Sequence, residues 1–216
     1  MIKNILDLTK TITKEYFNKY TYPWELITNI NKIITDIDKT NYTEISPNIW
    51  IGKNVKIDDS AKIIGPCIID DNTEIKHCAY IRENVIIGKN CTIGNSTELK
   101  SSILFDEVTV PHYNYVGNSI LGYKSHLGAG AITSNLKSNK TNIKITINNK
   151  LYETNCRKFG AIIGDYTEIG CNSVLNPGTV IGKNTIVYPL TMVRGEIHSN
   201  KIVKNNNVII ERKDTL

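Results

Sequence analysis

Large apolar side chains recur at every sixth position through most of this chain. In the segment IGDYTEIGCNSVLNPGTVIGKNTIV they occupy positions 163, 169, 175, 181 and 187. Counting back by sixes from Phe105 meets only large apolar residues as far as Ile45. An amphipathic helix repeats every three or four residues and a half-buried strand every two, so neither element explains the pattern.

The same period is marked by two other residue classes. Four positions after each aliphatic lies a small or branched residue, and Gly often follows the aliphatic directly, as at Gly52, Gly88 and Gly164. A hexapeptide repeat specifies a parallel β-helix. Each six residues would form a strand and a corner, and triangular coils of about 18 residues would stack at about 4.8 Å. The sequence therefore predicts an all-β solenoid whose interior is filled by the aliphatics of residues 45–105.

The repeat is interrupted at two places. It breaks at Pro111 and resumes at Leu121, a step of ten that indicates four additional residues. It then disappears between about residues 133 and 160, where IKITI, NNK and LYET predict two strands joined by an Asn-rich turn. Because a long loop on a rigid scaffold often carries function, we expect residues 133–160 to form a functional excursion loop.

The two ends of the chain lack the repeat. PWELITNINKIITDID, residues 23–38, begins with Pro and places Ile on one face, which predicts a helix after an earlier one at about residues 3–20. We expect residues 1–44 to form a helical cap over the open end of the solenoid, where a sheet edge would otherwise be exposed. The β-helix domain would span residues 45–196, and the polar tail, residues 197–216, would form a hairpin or pack on a neighbour.

The composition is that of a soluble globular protein, with 40% hydrophobic and 22% charged residues. No apolar run approaches the roughly 18 residues of a membrane span, and the N-terminus is too polar for a signal peptide. We therefore expect a cytoplasmic protein without a membrane partner. The net charge of +5 is scattered and indicates a mildly basic surface, so we expect no nucleic-acid partner. The cysteines are odd in number and lack a CxxC pair, which indicates reduced thiols, with Cys67 and Cys91 at inward positions.

Two cations are predicted to stack on one wall of the solenoid. Arg82 and Lys100 each follow an inward aliphatic and are 18 residues apart, which is one coil. Like charges on neighbouring strands repel, and a bound anion between them would reverse that effect. The pattern is compatible with a phosphate site, which Lys140 and Lys144 of the excursion loop could complete, or with two splayed, solvated side chains.

His112 lies where the repeat breaks, in VPHYNYVGNS and close to Tyr115. An imidazole accepts a proton near neutral pH and is a natural general base. A surface or packed histidine is the alternative, and the residues alone leave both open.

Several stretches carry a resemblance to a known family. They are ELKSSIL, VPHYNYVGNSILG, LGAGAITSNLK and RKFGAIIGDYTEIGCNSVLNPGTVIG. Through them residues 78–193 resemble the acetyltransferase domain of the bifunctional bacterial enzyme that makes UDP-N-acetylglucosamine. They look still more like its archaeal relatives, the sugar-1-phosphate nucleotidylyltransferase/acetyltransferases. The resemblance implies a left-handed β-helix, acetyl-CoA as co-substrate, no metal requirement, and a homotrimer with sites at subunit junctions.

The resemblance also implies roles for individual residues. His112 would take the proton from the substrate amine, and Tyr115 and Asn135 would hold the sugar and the amine. Contacts to the sugar phosphate would come from Arg82 and Lys100, together with a loop lysine, Lys144. The acetyl-CoA thioester would lie near Ala129 and Cys171.

Some positions depart from the bacterial pattern. His126 stands where that enzyme has Asn, Leu136 where it has Tyr, and Thr141 where it has a second loop lysine, with Lys140 next to it. These departures put the identity of the amino sugar in doubt more than the reaction. Residues 1–44 are too few for the nucleotidylyltransferase domain that normally precedes this one, so we expect that the chain does not make a UDP-sugar by itself.

The sequence thus predicts an N-acetyltransferase acting on an amino-sugar 1-phosphate, glucosamine- or galactosamine-1-phosphate. Three alternatives are weighed against it. The acceptor could be another amino sugar or a nucleotide-linked one. A metal enzyme of the γ-carbonic-anhydrase type shares the fold, but the four histidines offer no close pair for its metal site. A non-catalytic assembly module is also compatible with the fold alone, although the His112, Tyr115 and Asn135 set argues against it.

Overall fold

The computed structural model describes residues 2–213, apart from the side chains of residues 2, 3 and 207. Over these residues the chain forms a parallel β-solenoid of about nine turns. Successive turns contribute short strands to three sheets, which we call A, B and C. The all-β parallel solenoid predicted from the period of six is therefore confirmed.

The strands stack in chain order within each sheet. Sheet A contains β1 (Thr43–Ser46), β2 (Ile49–Ile51), β5 (Cys67–Ile69), β8 (Val85–Ile87), β11 (Ser102–Leu104), β14 (Ile120–Leu121), β19 (Ala161–Ile163), β22 (Thr179–Ile181) and β25 (Glu196–Ile197). Sheet B contains β3 (Lys56–Ile57), β6 (Glu74–Ile75), β9 (Thr92–Asn95), β12 (Thr109–His112), β15 (His126–Leu127), β20 (Glu168–Ile169), β23 (Ile186–Val187), β26 (Lys201–Lys204) and β27 (Val208–Glu211). Sheet C contains β4 (Lys62–Ile63), β7 (Tyr80–Ile81), β10 (Glu98–Lys100), β13 (Tyr115–Gly117), β16 (Ile132–Thr133), β21 (Val174–Leu175) and β24 (Met192–Val193).

The interior is filled by one large aliphatic side chain per strand. Ile69 pairs with Ile87, Ile87 with Leu104, and Leu104 with Leu121, and all four are fully buried. Fully burying such a side chain contributes roughly 1.5–3 kcal/mol relative to leaving it in water. The repeated aliphatic therefore supplies a continuous core along the solenoid axis.

Two of the predicted interior positions are wrong. Ile45 lies in β1, which pairs antiparallel with β2, and its side chain is 48% exposed. Phe105 points outward, because Ile87 pairs with Leu104 and that coil has 17 residues instead of 18. Since Leu104 and Phe105 are both apolar, counting by sixes could not detect the missing residue.

The same shortened coil removes the predicted break at Pro111. Val110 pairs with Ile93 and Val116 with Leu99, so the solenoid continues through this segment without inserted residues. Asn114 occupies the small inward position of this coil and is 2% exposed. The expected four additional residues were an artefact of counting from Phe105.

The N-terminal helices pack on the side of the solenoid. They are α1 (Lys14–Lys19), α2 (Pro23–Thr28) and α3 (Ile30–Asp36), with 3₁₀ turns at Ile2–Ile5 and Leu8–Lys10. The helix predicted over residues 23–38 is divided at Asn29, whose backbone leaves the helical region (φ −113°, ψ 11°). None of the described helices is long and apolar enough to cross a membrane.

The helices bury an apolar face against the outer surface of sheet A. Phe17 meets Phe105 edge-on, with ring centroids 5.7 Å apart. One buried cluster joins helix residues to outward residues of sheet A: Phe17, Trp24, Leu26, Ile30, Ile33, Ile68, Ile86, Ile103, Ile120 and Ile162. The expected cap over the open end is thus corrected to a cover on one wall, because the outer face of sheet A is itself apolar and requires burial.

The excursion loop and the tail contain the predicted hairpins. β17 (Lys144–Ile147) pairs antiparallel with β18 (Lys150–Glu153), and the isoleucines of β17 join the buried cluster on sheet A. In the tail, β26 pairs antiparallel with β27, while Val203 continues the parallel stack on Val187. The solenoid therefore extends past the predicted end at residue 196. A third 3₁₀ turn, Asn205–Asn207, links the last two strands.

Candidate functional site

Arg82 and Lys100 lie side by side on the outer face of sheet C. Ile81 pairs with Leu99, and the backbone N–H of Arg82 donates to the carbonyl of Leu99 at 2.8 Å. The two cations therefore occupy equivalent positions one strand apart, as their 18-residue spacing predicted.

Carboxylates of the chain already neutralise these two cations. Glu83 Oε1 lies 3.1 Å from Lys100 Nζ, and Glu83 Oε2 lies 3.6 Å from Arg82 Nε. Glu98 Oε1 accepts a 3.0 Å hydrogen bond from Arg82 Nη1, which raises the pKa of Arg82. The sequence reasoning missed both glutamates, although each is next in sequence to one residue of the pair or two positions from it.

Tyr115 and Asn135 are joined by a hydrogen bond. Asn135 Nδ2 donates to Tyr115 Oη at 3.2 Å and to Asn118 Oδ1 at 2.7 Å. A side chain at Gly117 would collide with both partners, since its Cβ would lie 2.6 Å from Tyr115 Oη and 2.7 Å from Asn135 Nδ2. Gly117 thus provides the space in which this polar cluster forms, immediately beside Lys100 in the strand register.

His112 is exposed at the end of β12, where the chain turns from sheet B to sheet C. Its imidazole has no hydrogen-bond partner or ion pair among the described residues. Its backbone N–H donates to Oδ1 of the buried Asn114 at 3.1 Å. The next residue, Tyr113, has a left-handed backbone (φ 52°), which makes the corner. The imidazole is therefore free to accept a proton while its backbone is held.

Ala129 and Cys171 occupy the equivalent corner of the next coils. The N–H of Gly130 donates to the carbonyl of His112 at 3.0 Å, and the N–H of Asn172 donates to the carbonyl of Ala129 at 2.8 Å. His112, Ala129 and Cys171 consequently form a column on successive coils. The N–H of Ala129 makes no hydrogen bond within residues 2–213, so it remains available as a donor beside His112.

Three other predicted site positions lie away from these contacts. Lys144 is exposed on β17, and its Nζ pairs with Glu153 Oε1 at 2.6 Å. His126 has its Nδ1 2.6 Å from Thr109 Oγ1. Leu136 is 36% exposed. Within one chain, no contact joins Lys144 to Arg82 or Lys100, so its place in a phosphate site stays a prediction.

Comparison with known proteins agrees with the motifs. Residues 63–157 match the model of the GMPPB C-terminal domain, and residues 160–195 match the bacterial transferase hexapeptide, six repeats. The bifunctional protein GlmU of Methanococcus maripaludis is 32% identical over 226 residues, covering 98% of this chain and 54% of that protein. The bifunctional sugar-1-phosphate nucleotidylyltransferase/acetyltransferase of Sulfurisphaera tokodaii is 30% identical, covering 84% of this chain and 47% of that protein.

The resemblance to the GlmU-type hexapeptide acetyltransferase domain is confirmed. The chain spans about half the length of these GlmU-type relatives. Among solved structures, AntD, an N-acyltransferase from Bacillus cereus in complex with dTDP and coenzyme A, has a TM-score of 0.48 and 18% identity, covering 82% of this chain and 93% of that one.

Proposed function

We propose that this chain is an N-acetyltransferase that transfers the acetyl group of acetyl-CoA to the amine of an amino-sugar 1-phosphate. The observation that carries the proposal is the placement of His112 with a free imidazole, next in the chain to the Tyr115 and Asn135 pair. A general base, a hydrogen-bonding acceptor pocket and a donor corner are the parts that acetyl transfer to an amine requires.

His112 would remove the proton from the acceptor amine. An amino sugar is mostly an ammonium at neutral pH and cannot attack until it loses that proton. Tyr115 Oη and the Asn135 side chain would hold the sugar and orient its amine toward the thioester. Their mutual hydrogen bond limits the movement of both side chains, which reduces the entropy lost on binding.

The acetyl donor would bind along the column of Ala129 and Cys171. The N–H of Ala129 would donate to the thioester oxygen as negative charge develops there, and such donors are usually the largest catalytic contribution. Because Gly130 N–H bonds to the carbonyl of His112, this corner and the base are held in fixed relation.

Arg82 and Lys100 would receive the sugar phosphate. Glu83 and Glu98 hold the two cations in the absence of that ligand, so phosphate would compete with Glu83 for them. A phosphate carries more charge than a carboxylate and accepts several bonds at once from Arg, which favours the exchange. Lys144, from the exposed hairpin, would complete the phosphate site.

We also propose that the active form is a homotrimer in which sites lie at subunit junctions. Half of the predicted site residues are exposed or partly exposed on a single chain, and Lys144 makes no contact with the cation pair of its own chain. A partner subunit would bring such a lysine to the pair. Sedimentation equilibrium should report a trimer at micromolar concentration, and a stable monomer would contradict this proposal.

The proposed reaction is tested by following free thiol released from acetyl-CoA. The acceptor panel should contain glucosamine 1-phosphate, galactosamine 1-phosphate, the unphosphorylated hexosamines and UDP-hexosamines. We expect turnover with one hexosamine 1-phosphate and at least tenfold lower kcat/KM without the phosphate. Preference for a nucleotide-linked sugar would replace the acceptor in the proposal, and no thiol release with any acceptor would contradict the reaction.

A further inference from the structure

A polar groove lies on sheet C beyond Asn135, at the edge opposite to β4. It has a volume of about 480 Å³ and is lined by residues that include Ser134, Lys137, Asn139, Asn176 and Arg194. None of its lining residues is acidic. Small-molecule sites usually measure about 300–1,000 Å³, so the groove has the size of a ligand site, but its lining is suited to a charged ligand.

The sheet register places the groove in line with the proposed acceptor site. Val116 pairs with Thr133, Thr133 with Leu175, and Leu175 with Val193. The residues that follow these four form one row on the outer face of sheet C: Gly117, Ser134, Asn176 and Arg194. At about 4.8 Å per strand, Arg194 lies about 14 Å from Gly117.

The cations of the groove differ from the Arg82 and Lys100 pair in one decisive respect. Arg194 has neither an ion pair nor a hydrogen-bond partner within residues 2–213, and Lys137 Nζ donates only to the carbonyl of Asn142, at 3.0 Å. Lys158, which bridges to Leu136 at the rim, also has no carboxylate partner in that range. At the other end of the row, by contrast, carboxylates already neutralise both cations.

Unneutralised cations that converge on a groove raise the local concentration of anions. A guanidinium matches the oxygens of a phosphate with two parallel hydrogen bonds, and Lys137 adds a point charge. Ser134 and Asn139 supply further hydrogen-bonding groups. This combination recognises a phosphate or diphosphate better than a neutral sugar or an apolar group.

We propose that the groove around Arg194 and Lys137 is a second anion subsite, which binds a phosphate or diphosphate group of a substrate. The group could belong to the nucleotide part of the acetyl donor or to the acceptor. This inference rests on the proposed function for the identity of the substrate, but not for the anion binding itself.

Binding of inorganic pyrophosphate by calorimetry tests the subsite without any turnover. Arg194→Ala should weaken pyrophosphate binding by about tenfold or more, the scale of one lost charge-assisted hydrogen bond. Lys137→Ala should weaken it less, and added salt should weaken it in the wild type. The matched control is Lys62→Ala, which removes one exposed cation from β4 at the opposite edge of the same sheet.

Equal pyrophosphate affinity in the wild type and Arg194→Ala would overturn the proposal, as would an equal loss in Lys62→Ala. If the chain binds pyrophosphate through Arg194 but releases no thiol with any acceptor, the subsite stands and the proposed reaction fails. If thiol release occurs and Arg194→Ala changes neither binding nor KM, the reaction stands and the subsite fails.

Kinetics then identify the source of the anion. With acetyl-CoA and with S-acetyl-N-acetylcysteamine, a thioester that lacks phosphate, the same variants are compared. A higher KM for acetyl-CoA alone in Arg194→Ala assigns the groove to the donor. A higher KM for the acceptor with both thioesters assigns it to the acceptor.

Discussion

Nδ2 of Asn114 donates a 2.8 Å hydrogen bond to the carbonyl oxygen of Gly128, inside the solenoid. The same nitrogen lies 3.1 Å from the carbonyl of Ala131, and Oδ1 accepts from the N–H of His112. One buried amide therefore connects the corner that carries the proposed base to the turn that carries Ala129. A hexapeptide repeat would accept an apolar residue here, so the polar choice reflects the need to satisfy these backbone groups.

Replacement of Asn114 by Ala should lower both stability and activity. The change leaves buried carbonyls without a donor, which costs about 1–3 kcal/mol, and it frees the backbone of His112. Urea unfolding measures the first effect and thiol release the second. Asn95→Ala is the control, because Asn95 pairs with His112 in the strand register but is exposed. A loss in Asn114→Ala no larger than that of the control would show that the buried amide is not structural.

His112→Ala should lower kcat by roughly 10²–10⁴, the usual range for loss of a general base, with little change in acetyl-CoA affinity. The pH profile of kcat/KM should also lose its acidic limb. His126→Ala should have a much smaller effect, since the imidazole of His126 is engaged by Thr109. Retention of more than about half of the wild-type rate in the His112 variant would exclude a base role.

Arg82→Ala should raise KM for a phosphorylated acceptor far more than KM for acetyl-CoA, because it removes a phosphate ligand. Glu83→Gln should act in the opposite direction and lower KM for that acceptor, since it removes the carboxylate that competes for both cations. Steady-state kinetics with each substrate varied in turn measure both effects. Small and equal changes in the two KM values would mean that Arg82 and Lys100 are only solvated surface charges.

The five cysteines should divide into two classes toward a thiol reagent. Cys78 and Cys171 are exposed, whereas Cys67, Cys91 and Cys156 are buried. Burial also raises the pKa of Cys67 to about 12, which suppresses its thiolate. We expect two thiols to react in the native protein and five after denaturation. Coenzyme A should protect Cys171 but not Cys78, and equal protection of both would contradict the donor position at Cys171.

Asp165 should make stability depend on pH. Burial raises the pKa of this carboxyl, which is 4% exposed, from 3.8 to about 6. The folded state therefore binds a proton that the unfolded chain lacks between these values, so this group stabilises the fold increasingly as pH falls through 6, completely below about 4. Asp165→Asn removes the titration. The difference in unfolding free energy between wild type and variant should shift toward the wild type by up to about 3 kcal/mol from pH 7.5 to pH 4. A constant difference would contradict the assignment.

The sequence by itself determined the solenoid and the stacking of Arg82 and Lys100. Both follow from spacing, because residues one coil apart must lie on neighbouring strands wherever the coil keeps 18 residues. The predicted hairpin in the excursion loop was likewise readable from local alternation and an Asn-rich turn. These features depend on positions close in sequence or related by a fixed period.

Only the tertiary structure decided where the period fails. The coil from Ile87 to Leu104 is one residue short, and two adjacent apolar residues concealed this, so Phe105 turned outward to meet Phe17. The helices were expected over the open end but cover the outer face of sheet A, because that face is also apolar and a helix buries more surface along a wall. The ion pairs of Glu83 and the free cation at Arg194 depend on side-chain directions and distances in space, which no spacing in the sequence specifies.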